Sequence, residues 1–519
     1  MFFKTARLVA PAVILVAVTQ VFGQAPGRTR APRLWTDAAL ADWALPIAGV
    51  NATPNFYSEQ EYYAARVDEL RTYPVYLKNK EPKGYREALR ARGPQPLLEI
   101  GRARTEAEWA AAGHEIFAGI DLHDNRTDDA TVLAWVDDAA KARDERALVT
   151  KDGVVIALRW VVDHDGKLKV TLSECGSCHT RVLPDGTEVL GAQGNLNFNL
   201  TVFTSIFAKA DEVRKRSARF VPLPDDLYAQ YGVPWLANDV NARLKTIKAD
   251  EIPPLLDLRT PGTFPRFNGS PWFINHMPDL IGVKDRRYLD ATATHRNRTA
   301  EDIARYAILV TDADDGSIGT HQFRSGEYRR IRQRHSDDAM YAIAKFLYGA
   351  KPPPNPHKPD EQTGLGEQVF ARAGCAGCHP PPVYTNNKLV PVDGFTRLDH
   401  PQSPPLADIL VGARLGLDPG LALKTRKGTG YYKVPPLTGL WYRETLEHSG
   451  SIGSLEEWFD AARLRDDYRS KGWNPPGTKT RAIPGHPFGL KLSPQDRFSA
   501  DRVFENALIG AGLNSIVLL

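Results

Sequence analysis

The spacing of apolar residues predicts a β-hairpin in the first half of the chain. Residues 154–162 and 168–172 form two runs rich in Val, Ile and Leu, and such residues favour strands. The intervening Asp-His-Asp-Gly at 163–166 has the residue types of a tight turn. We therefore expect two antiparallel strands joined at residues 163–166.

Helical patterns flank this hairpin and recur in the second half. Gly113-x-x-x-Phe117 is matched by Gly366-x-x-x-Phe370, which lies on a predicted helix that runs towards the third cysteine. Apolar stretches at 339–348 and 492–507 are expected to end the two halves as helices. The pattern indicates a weak internal repeat, with the hairpin inserted in the first copy. The proline-rich residues 351–359 predict a stiff linker between the copies.

All four cysteines fall into two Cys-x-x-Cys-His motifs, at residues 175–179 and 375–379. This pattern is typical of covalent c-type haem attachment. The two cysteines of a motif can form thioethers to the haem vinyl groups, and the histidine can bind the iron from one face. The predicted attachment residues are Cys175, Cys178, Cys375 and Cys378, with His179 and His379 as the predicted iron ligands.

Three other interpretations of the cysteine pairs are open at this point. A four-cysteine zinc site would need both pairs in one small module, but the pairs lie 200 residues apart. Such a site also does not explain why a histidine follows each pair. A thioredoxin-like redox pair would be expected in a strand–helix–strand pattern, which surrounds neither motif. Two short disulfide loops would again leave the histidines unexplained. Two covalently bound haem c groups are therefore the favoured prediction.

The N-terminus predicts export. Residues 1–25 contain Lys4 and Arg7, an apolar run at 8–22 and small residues near position 25, which is the pattern of a secretory signal peptide. A membrane anchor is the alternative, but a run of about 15 residues is shorter than the roughly 20 needed to span a bilayer. We expect a periplasmic or secreted protein with no stable membrane span, which agrees with haem attachment outside the bacterial cytoplasm.

The charge balance excludes nucleic acid as a partner. The formal net charge of +4 at pH 7 falls to +2 when Lys4 and Arg7 leave with the signal peptide. A value so near zero provides no strong basic field. The 39 prolines and 41 glycines indicate many turns and short helices.

Several segments resemble the bacterial dihaem cytochrome c peroxidases and their relatives. The broad resemblance rests on residues 432–441 (Tyr-Lys-Val-Pro-Pro-Leu-Thr-Gly-Leu-Trp), on His448-Ser-Gly-Ser and on 455–457 (Leu-Glu-Glu). Further segments are similar to the rubber oxygenase branch of that superfamily, and the whole resemblance covers roughly residues 110–515. These further segments are 278–282, 284–288, 294–296, the linker from Lys351 and Gly-His-Pro-Phe-Gly at 485–489.

The resemblance implies a mainly α fold with two cytochrome c-like haem domains, a β-hairpin insertion and long loops. It divides the chain into a signal peptide at 1–25, an N-terminal haem domain at 26–350, a linker at 351–362 and a C-terminal cytochrome c domain at 363–519. It also allows a calcium ion between the domains.

The resemblance also indicates second axial ligands. His486 resembles the distal ligand of the rubber oxygenases and is the first candidate for the C-terminal haem, with a surface-loop histidine as the alternative. His448 is the second candidate, at a position where a histidine neighbours the haem in dihaem peroxidases. No histidine stands out for the N-terminal haem, whose second face is therefore expected to be the reactive one.

Residues 264–298 resemble the region that covers the active haem in the oxygenases. Trp272 and His295 are the predicted catalytic residues there, and simple core packing is an equal alternative for the tryptophan. Arg286 and Arg296 are the predicted partners of haem propionates, because guanidinium groups bind carboxylates bidentately.

These features predict a haem-dependent oxidoreductase with one electron-transfer haem and one reactive haem that acts on hydrogen peroxide or dioxygen. The expected partners are an electron-donor protein or a small redox molecule, together with peroxide, dioxygen or an apolar substrate. One alternative is a rubber oxygenase-like dioxygenase that cleaves an apolar polyisoprenoid. Another is a non-enzymatic electron-transfer cytochrome with both irons saturated by protein ligands.

Overall fold

The computed structural model describes the chain from residue 29 to residue 491, with gaps. The described residues are 29–50, 52–99, 101–102, 104–121, 125–197, 202, 228–229, 231–246, 261–264, 270, 273, 275–313, 316–323, 330–395, 404–410, 419–443, 446, 448, 450, 455–459, 485–486 and 490–491. The predicted signal peptide at 1–25, the closing helix at 492–507 and Trp272 lie outside these ranges.

The helices are α1 (Asp37–Leu40), α2 (Glu59–Ala64), α3 (Tyr85–Arg92), α4 (Glu106–Gly119), α5 (Ala130–Asp137), α6 (Ala139–Asp144), α7 (Glu174–Cys178), α8 (Ala300–Ile308), α9 (Asp337–Gly349), α10 (Glu361–Arg372), α11 (Pro419–Leu423) and α12 (Leu455–Trp458). A π-helical turn at Leu309–Ala313 follows α8 directly. Short 3-10 turns lie at Ala242–Lys245, Val283–Asp285, Cys375–Gly377 and Leu406–Asp408.

The strands are β1 (Arg66–Val67), β2 (Thr72–Tyr76), β3 (Val154–Val162), β4 (Leu168–Leu172), β5 (Thr180–Val182), β6 (Glu188–Leu190), β7 (Thr263–Phe264), β8 (Asn275–His276), β9 (Tyr288–Leu289), β10 (His295–Arg296), β11 (Ser317–Ile318), β12 (His321–Gln322), β13 (Gln333–Arg334), β14 (Leu389–Pro391), β15 (Tyr431–Lys433), β16 (Gly485–His486) and β17 (Leu490–Lys491). Most of them form two-stranded pairs, and β2, β3 and β4 form one three-stranded sheet.

Helices α4, α8 and α9 form a helical core with aromatic residues of the N-terminal segment. A capping box starts α4, in which the Thr105 hydroxyl accepts from the Glu108 N–H while the Glu108 carboxylate accepts from the Thr105 N–H. Helices α4 and α9 cross at Gly113, where a Cβ atom would lie 1.9 Å from the carbonyl oxygen of Ala342. Only glycine allows this approach of the two backbones.

The three-stranded sheet forms a second core and confirms the predicted hairpin. Strands β3 and β4 pair antiparallel with Trp160 opposite Val170, and the Gly166 N–H closes the turn on the Asp163 carbonyl at 2.8 Å. Strand β2 pairs along the other edge of β3 and comes from the N-terminal extension. Helices α3, α5 and α6 pack apolar side chains into the same core. The hairpin is therefore the larger part of a sheet rather than an isolated insertion.

The second half has smaller elements. Helix α10 confirms the predicted helix before the second motif, but none of its 12 residues is buried, and a Cβ atom at Gly366 would have no neighbour within 4 Å. Strands β14 and β15 pair antiparallel with Val390 opposite Tyr432. Residues 351–360, in the predicted linker, are neither helix nor strand.

The prediction of a mainly α fold with two cytochrome c-like haem domains is wrong. The described residues are 34% helical and 18% strand or bridge, which is a mixed α and β content close to that of ordinary globular proteins. The two Gly-x-x-x-Phe segments are both helical, but only the first is buried in a core. The predicted internal repeat does not correspond to two similar packed domains. The Gly-x-x-x-Phe spacing indicates only that both segments are helical, and it carries no information about which distant elements pack against each helix.

The apolar run at 8–22, for which a membrane anchor is the alternative interpretation, lies outside the described residues. Within the described ranges, no helix has both the length and the apolar composition that crossing a bilayer requires.

Candidate functional site

The first Cys-x-x-Cys-His motif forms one helical turn at the end of the hairpin. Strand β4 leads through Ser173 into α7, and the Ser173 hydroxyl caps this turn by accepting from the Gly176 N–H at 3.2 Å. The His179 N–H then donates to the Cys175 carbonyl at 2.9 Å. The sheet core thus fixes the position of the motif, and the turn brings both thiols and the imidazole together.

A loop packs closely against this turn. The Gly191 N–H donates to the His179 carbonyl at 2.7 Å, and a Cβ atom at Gly194 would lie 2.0 Å from the Cys178 carbonyl oxygen. Because only glycine fits at that distance, the loop backbone forms one wall beside the motif.

The histidines of the two motifs make the same hydrogen bond. His179 Nδ1 lies 3.0 Å from the Pro278 carbonyl oxygen, and His379 Nδ1 lies 2.9 Å from the Tyr384 carbonyl oxygen. A carbonyl accepts only from a protonated nitrogen, so Nδ1 of each ring carries a proton and Nε2 is the nitrogen that a metal would use. The His379 ring also hydrogen-bonds the Pro435 carbonyl. Histidines that bind metals are commonly oriented by such a bond. The hydrogen bond at Nδ1 therefore gives the histidine of each motif an orientation that suits an iron ligand.

Cys175, Cys375 and Cys378 do not have the lowered pKa of redox thiols. Burial, followed by the negative charge of Glu174, raises the pKa of Cys175 well above its usual range, and burial also raises the pKa of Cys375 and of Cys378. A thioredoxin-like pair needs a lowered pKa, which gives a reactive thiolate. All four cysteines are half-buried as residues, and no disulfide joins them.

The zinc interpretation is also disfavoured. All four cysteines lie in the described residues, among which no group of three or more His, Cys, Asp or Glu side chains is arranged to hold a metal ion. The same finding means that the described part contains no calcium site built from three carboxylates. A c-type haem takes one histidine and two thioethers from each motif, so it needs no such group.

The structure describes the side chain of only one of the two candidate second ligands, His448 and His486. His448 is half-buried with its ring 5.4 Å from the Tyr432 ring, and its carbonyl accepts from the His276 N–H at 2.8 Å. Burial, then the charges of His448 and Arg443, lowers the pKa of His276 to about 3, so these three residues are neighbours. The backbone of His486 pairs with that of Leu490, but the side chain of His486 lies outside what the structure describes.

His295 lies in the aromatic part of the helical core. The residue is 1% exposed, and its ring centroid is 4.3 Å from that of Trp43 and 5.3 Å from that of Tyr306. His295 Nδ1 lies 2.8 Å from the Thr294 hydroxyl oxygen. The structure therefore places this predicted catalytic residue among packed rings, while its predicted partner Trp272 lies outside the described residues.

The two predicted propionate partners bond backbone carbonyls. Arg286 is buried and donates to the carbonyls of Asp279 and Ile281, and burial lowers its pKa to about 10. This places Arg286 beside the segment whose Pro278 carbonyl holds His179. Arg296 instead donates to the carbonyls of Asp42 and Ala44. Arg286 is thus close to the first motif, whereas Arg296 is tied to the N-terminal segment.

A buried acid–base pair beside the first motif is absent from the sequence predictions. His335 and Asp312 are fully buried, with His335 Nδ1 2.9 Å from the Asp312 carboxylate. The charge of Asp312 contributes to the raised pKa of Cys175, and that of Glu174 contributes to the pKa of His335. No local signal marks the pair, because the two residues are 23 positions apart and share no motif.

The described part also contains an open polar cavity of about 700 Å³, away from both motifs. It lies at the turn end of the hairpin and is lined mostly by paired charges. These are Arg66, Asp68, Arg126, Asp163, His164, Asp165, Lys169 and Arg332.

No family model, curated protein or solved structure matches the chain. The interpretation of the site therefore depends on the two motifs and on the contacts that surround them. The resemblance to dihaem peroxidases stays a prediction from the residues that carry it.

Proposed function

We propose that this chain is an exported dihaem c-type oxidoreductase. One haem is attached to Cys175 and Cys178 with His179 as its iron ligand, and the other uses the equivalent residues of the second motif. The observation that carries the proposal is that each motif histidine donates its Nδ1–H to a backbone carbonyl, as metal-binding histidines commonly do. A bound haem supplies one-electron chemistry and, where one face is open, binding of peroxide or dioxygen.

We assign the reactive haem to the first motif. Glu174 lies next to Cys175 in the chain, and the buried Asp312 and His335 lie close enough for their charges to act on the same region. Cleavage of an oxygen–oxygen bond needs groups that hold and pass protons near the reacting oxygen. These three side chains supply that capacity beside the first motif.

The second haem serves electron transfer in this proposal. No residue of Cys375–Gly377 is buried, whereas Gly176 and Ser177 of the first motif are, and the carbonyls of Tyr384 and Pro435 flank the His379 ring. A haem at the less buried motif suits exchange with an electron-donor protein or a small redox molecule. The resemblance to dihaem peroxidases and to the rubber oxygenase branch favours hydrogen peroxide or dioxygen as the oxidant, with an apolar substrate in the second case.

Haem retention on denaturation tests the proposal. The full chain is produced in a bacterium that attaches c-type haem, run on a denaturing gel and stained for haem, and the haem is quantified as its pyridine complex. We expect two haems per chain, one in Cys175→Ala/Cys178→Ala and one in Cys375→Ala/Cys378→Ala. The chain with all four cysteines replaced is the control and should carry none. Complete loss of haem from the parent on denaturation contradicts the proposal.

Ligand binding then separates an enzyme from an electron carrier. Carbon monoxide is added to the reduced protein and cyanide to the oxidised protein, and each titration is followed by absorbance. We expect one ligand per chain, bound at the haem that Cys175→Ala/Cys178→Ala removes. Binding at the other haem reverses the assignment of the reactive site, and binding at neither supports an electron carrier.

A further inference from the structure

One segment connects the first motif histidine to a buried ion pair. The Pro278 carbonyl accepts from His179 Nδ1 at 3.0 Å, and the next residue, Asp279, is 5% exposed. The Asp279 carboxylate accepts from the Tyr442 hydroxyl at 2.8 Å and from Arg443 Nε at 2.7 Å, and a second nitrogen of Arg443 also contacts it. Asp279 therefore ties the backbone that orients His179 to the second half of the chain.

The same arginine reaches the backbone beside the second motif histidine. Arg443 Nη1 donates to the Pro436 carbonyl at 3.1 Å. The following residue, Leu437, donates its N–H at 3.3 Å to the Tyr384 carbonyl, which is also the acceptor for His379 Nδ1 at 2.9 Å. One guanidinium thus stands between the two backbone segments that orient the two histidines.

We propose that Asp279 and Arg443 are positioning residues that couple the orientation of His179 to that of His379. The inference rests on the proposed function, because it concerns the two histidines as iron ligands. Hydrogen bonds behind a metal-binding histidine set its ring orientation and its basicity, and therefore the properties of the metal. Because both backbone segments share one hydrogen-bond network, loss of a bond beside one histidine should also alter the orientation of the other.

The arginine is suited to this role by its shape as well as its charge. The planar guanidinium directs two nitrogens to Asp279 and a third to Pro436. A lysine at position 443 could keep one contact to the carboxylate but could not span both partners. Arg443→Lys therefore separates the loss of the bridge from the loss of a positive charge.

The test measures both haem potentials in the haem-loaded full chain. Redox titration followed by absorbance is carried out on the parent, Arg443→Lys, Asp279→Asn and the milder Tyr442→Phe. In the first two variants, we expect the reduction equilibrium of each haem to change about tenfold, which is about 59 mV for one electron. A smaller shift of both haems is expected for Tyr442→Phe, which removes a single hydroxyl donor and should fold even if Asp279→Asn does not.

Asp302→Asn is the matched control. Asp302 on α8 is 2% exposed and pairs with Arg305 on the same helix and with Arg298 just before it. Its replacement therefore disrupts a similarly buried carboxylate with no contact to Pro278 or Tyr384. Both potentials should remain those of the parent. A general loss of packing would move the control and the test variants together.

Each other result has a distinct meaning. Two haems with unchanged potentials in Arg443→Lys and Tyr442→Phe overturn the coupling and leave the proposed function intact. A shift confined to one haem also overturns it, because Arg443 then acts on a single site. A parent without covalent haem overturns both proposals.

Discussion

The ring of His335 and the carboxylate of Asp312 form a hydrogen-bonded pair that is sealed from solvent. His335 Nδ1 lies 2.9 Å from one carboxylate oxygen, and the His335 backbone N–H donates to the other at 3.0 Å. Asp312 comes from the π-helical turn Leu309–Ala313, a local widening of helices that is frequent at functional sites. Burial disfavours the charged ring, but the Asp312 carboxylate outweighs it and raises the pKa of His335 to about 9.

This pair predicts a pH dependence of stability. Because the folded pKa of His335 lies above its unfolded value of about 6.5, the stabilisation is fully present below that pH and is lost as pH rises through about 9. The free energy of unfolding should fall by about 3 kcal/mol over this range through His335 alone. Urea unfolding at pH 6, 7.5 and 9.5 measures it as the difference between the parent and His335→Gln.

His357→Gln is the control for that experiment, because His357 is exposed in the linker. It should keep the pH dependence of the parent. A parent and a His335→Gln variant with parallel pH profiles would show that the ring is not charged in the folded protein.

The two glycines of the Gly-x-x-x-Phe segments should respond oppositely to alanine. Gly113→Ala places a Cβ atom 1.9 Å from the Ala342 carbonyl oxygen, so α4 and α9 must separate. We expect a loss of about 1–3 kcal/mol or more in the free energy of unfolding. Gly366→Ala meets no atom within 4 Å on an exposed helix and should be neutral or stabilising by up to about 1 kcal/mol. Urea unfolding compares them, and equal effects would contradict the helix crossing.

Arg126 should be far more important to folding than Arg66, although both contact Asp68. Arg126 is buried and bonds Asp121 at 2.7 Å, Asp68 at 3.2 Å and Asp163 at 3.1 Å, so Arg126→Met leaves buried carboxylates without their cation. We expect about 3–5 kcal/mol of destabilisation. The Arg66 side chain is 68% exposed and 3.5 Å from Asp68, so Arg66→Gln should cost less than about 1 kcal/mol. Thermal unfolding of both variants against the parent measures the contrast.

Replacement of two histidines identifies the second ligand of the C-terminal haem. His486→Ala is predicted to convert one low-spin haem to high spin and to leave the other unchanged, because ligand identity sets the spin state. His448→Ala is the comparison, since its backbone bond to His276 survives the substitution. Electron paramagnetic resonance of the oxidised protein measures the spin state of both haems. If His448→Ala produces the high-spin signal and His486→Ala is silent, His448 is the ligand.

Local features of this protein could be predicted from its sequence because their causes are local. The apolar runs at 154–162 and 168–172 and the Asp-His-Asp-Gly turn between them specify the β3–β4 hairpin, whose pairing depends on residues a few positions apart. The apolar stretch at 339–348 likewise lies within the observed α9. The Cys-x-x-Cys-His motifs belong to this class too, since one helical turn is enough to bring their side chains together.

Features that join distant parts of the chain were decided by the tertiary structure. Strand β2 completes the sheet from about 80 residues upstream of β3, and only the helical core makes Gly113 indispensable while Gly366 stays exposed. His335 contacts Asp312, and Arg443 contacts Asp279, only because tertiary packing brings these distant residues together. No local sequence pattern predicts either pair. Helical periodicity reports which face of a segment is apolar, whereas burial and buried ion pairs depend on what the rest of the chain brings to that face.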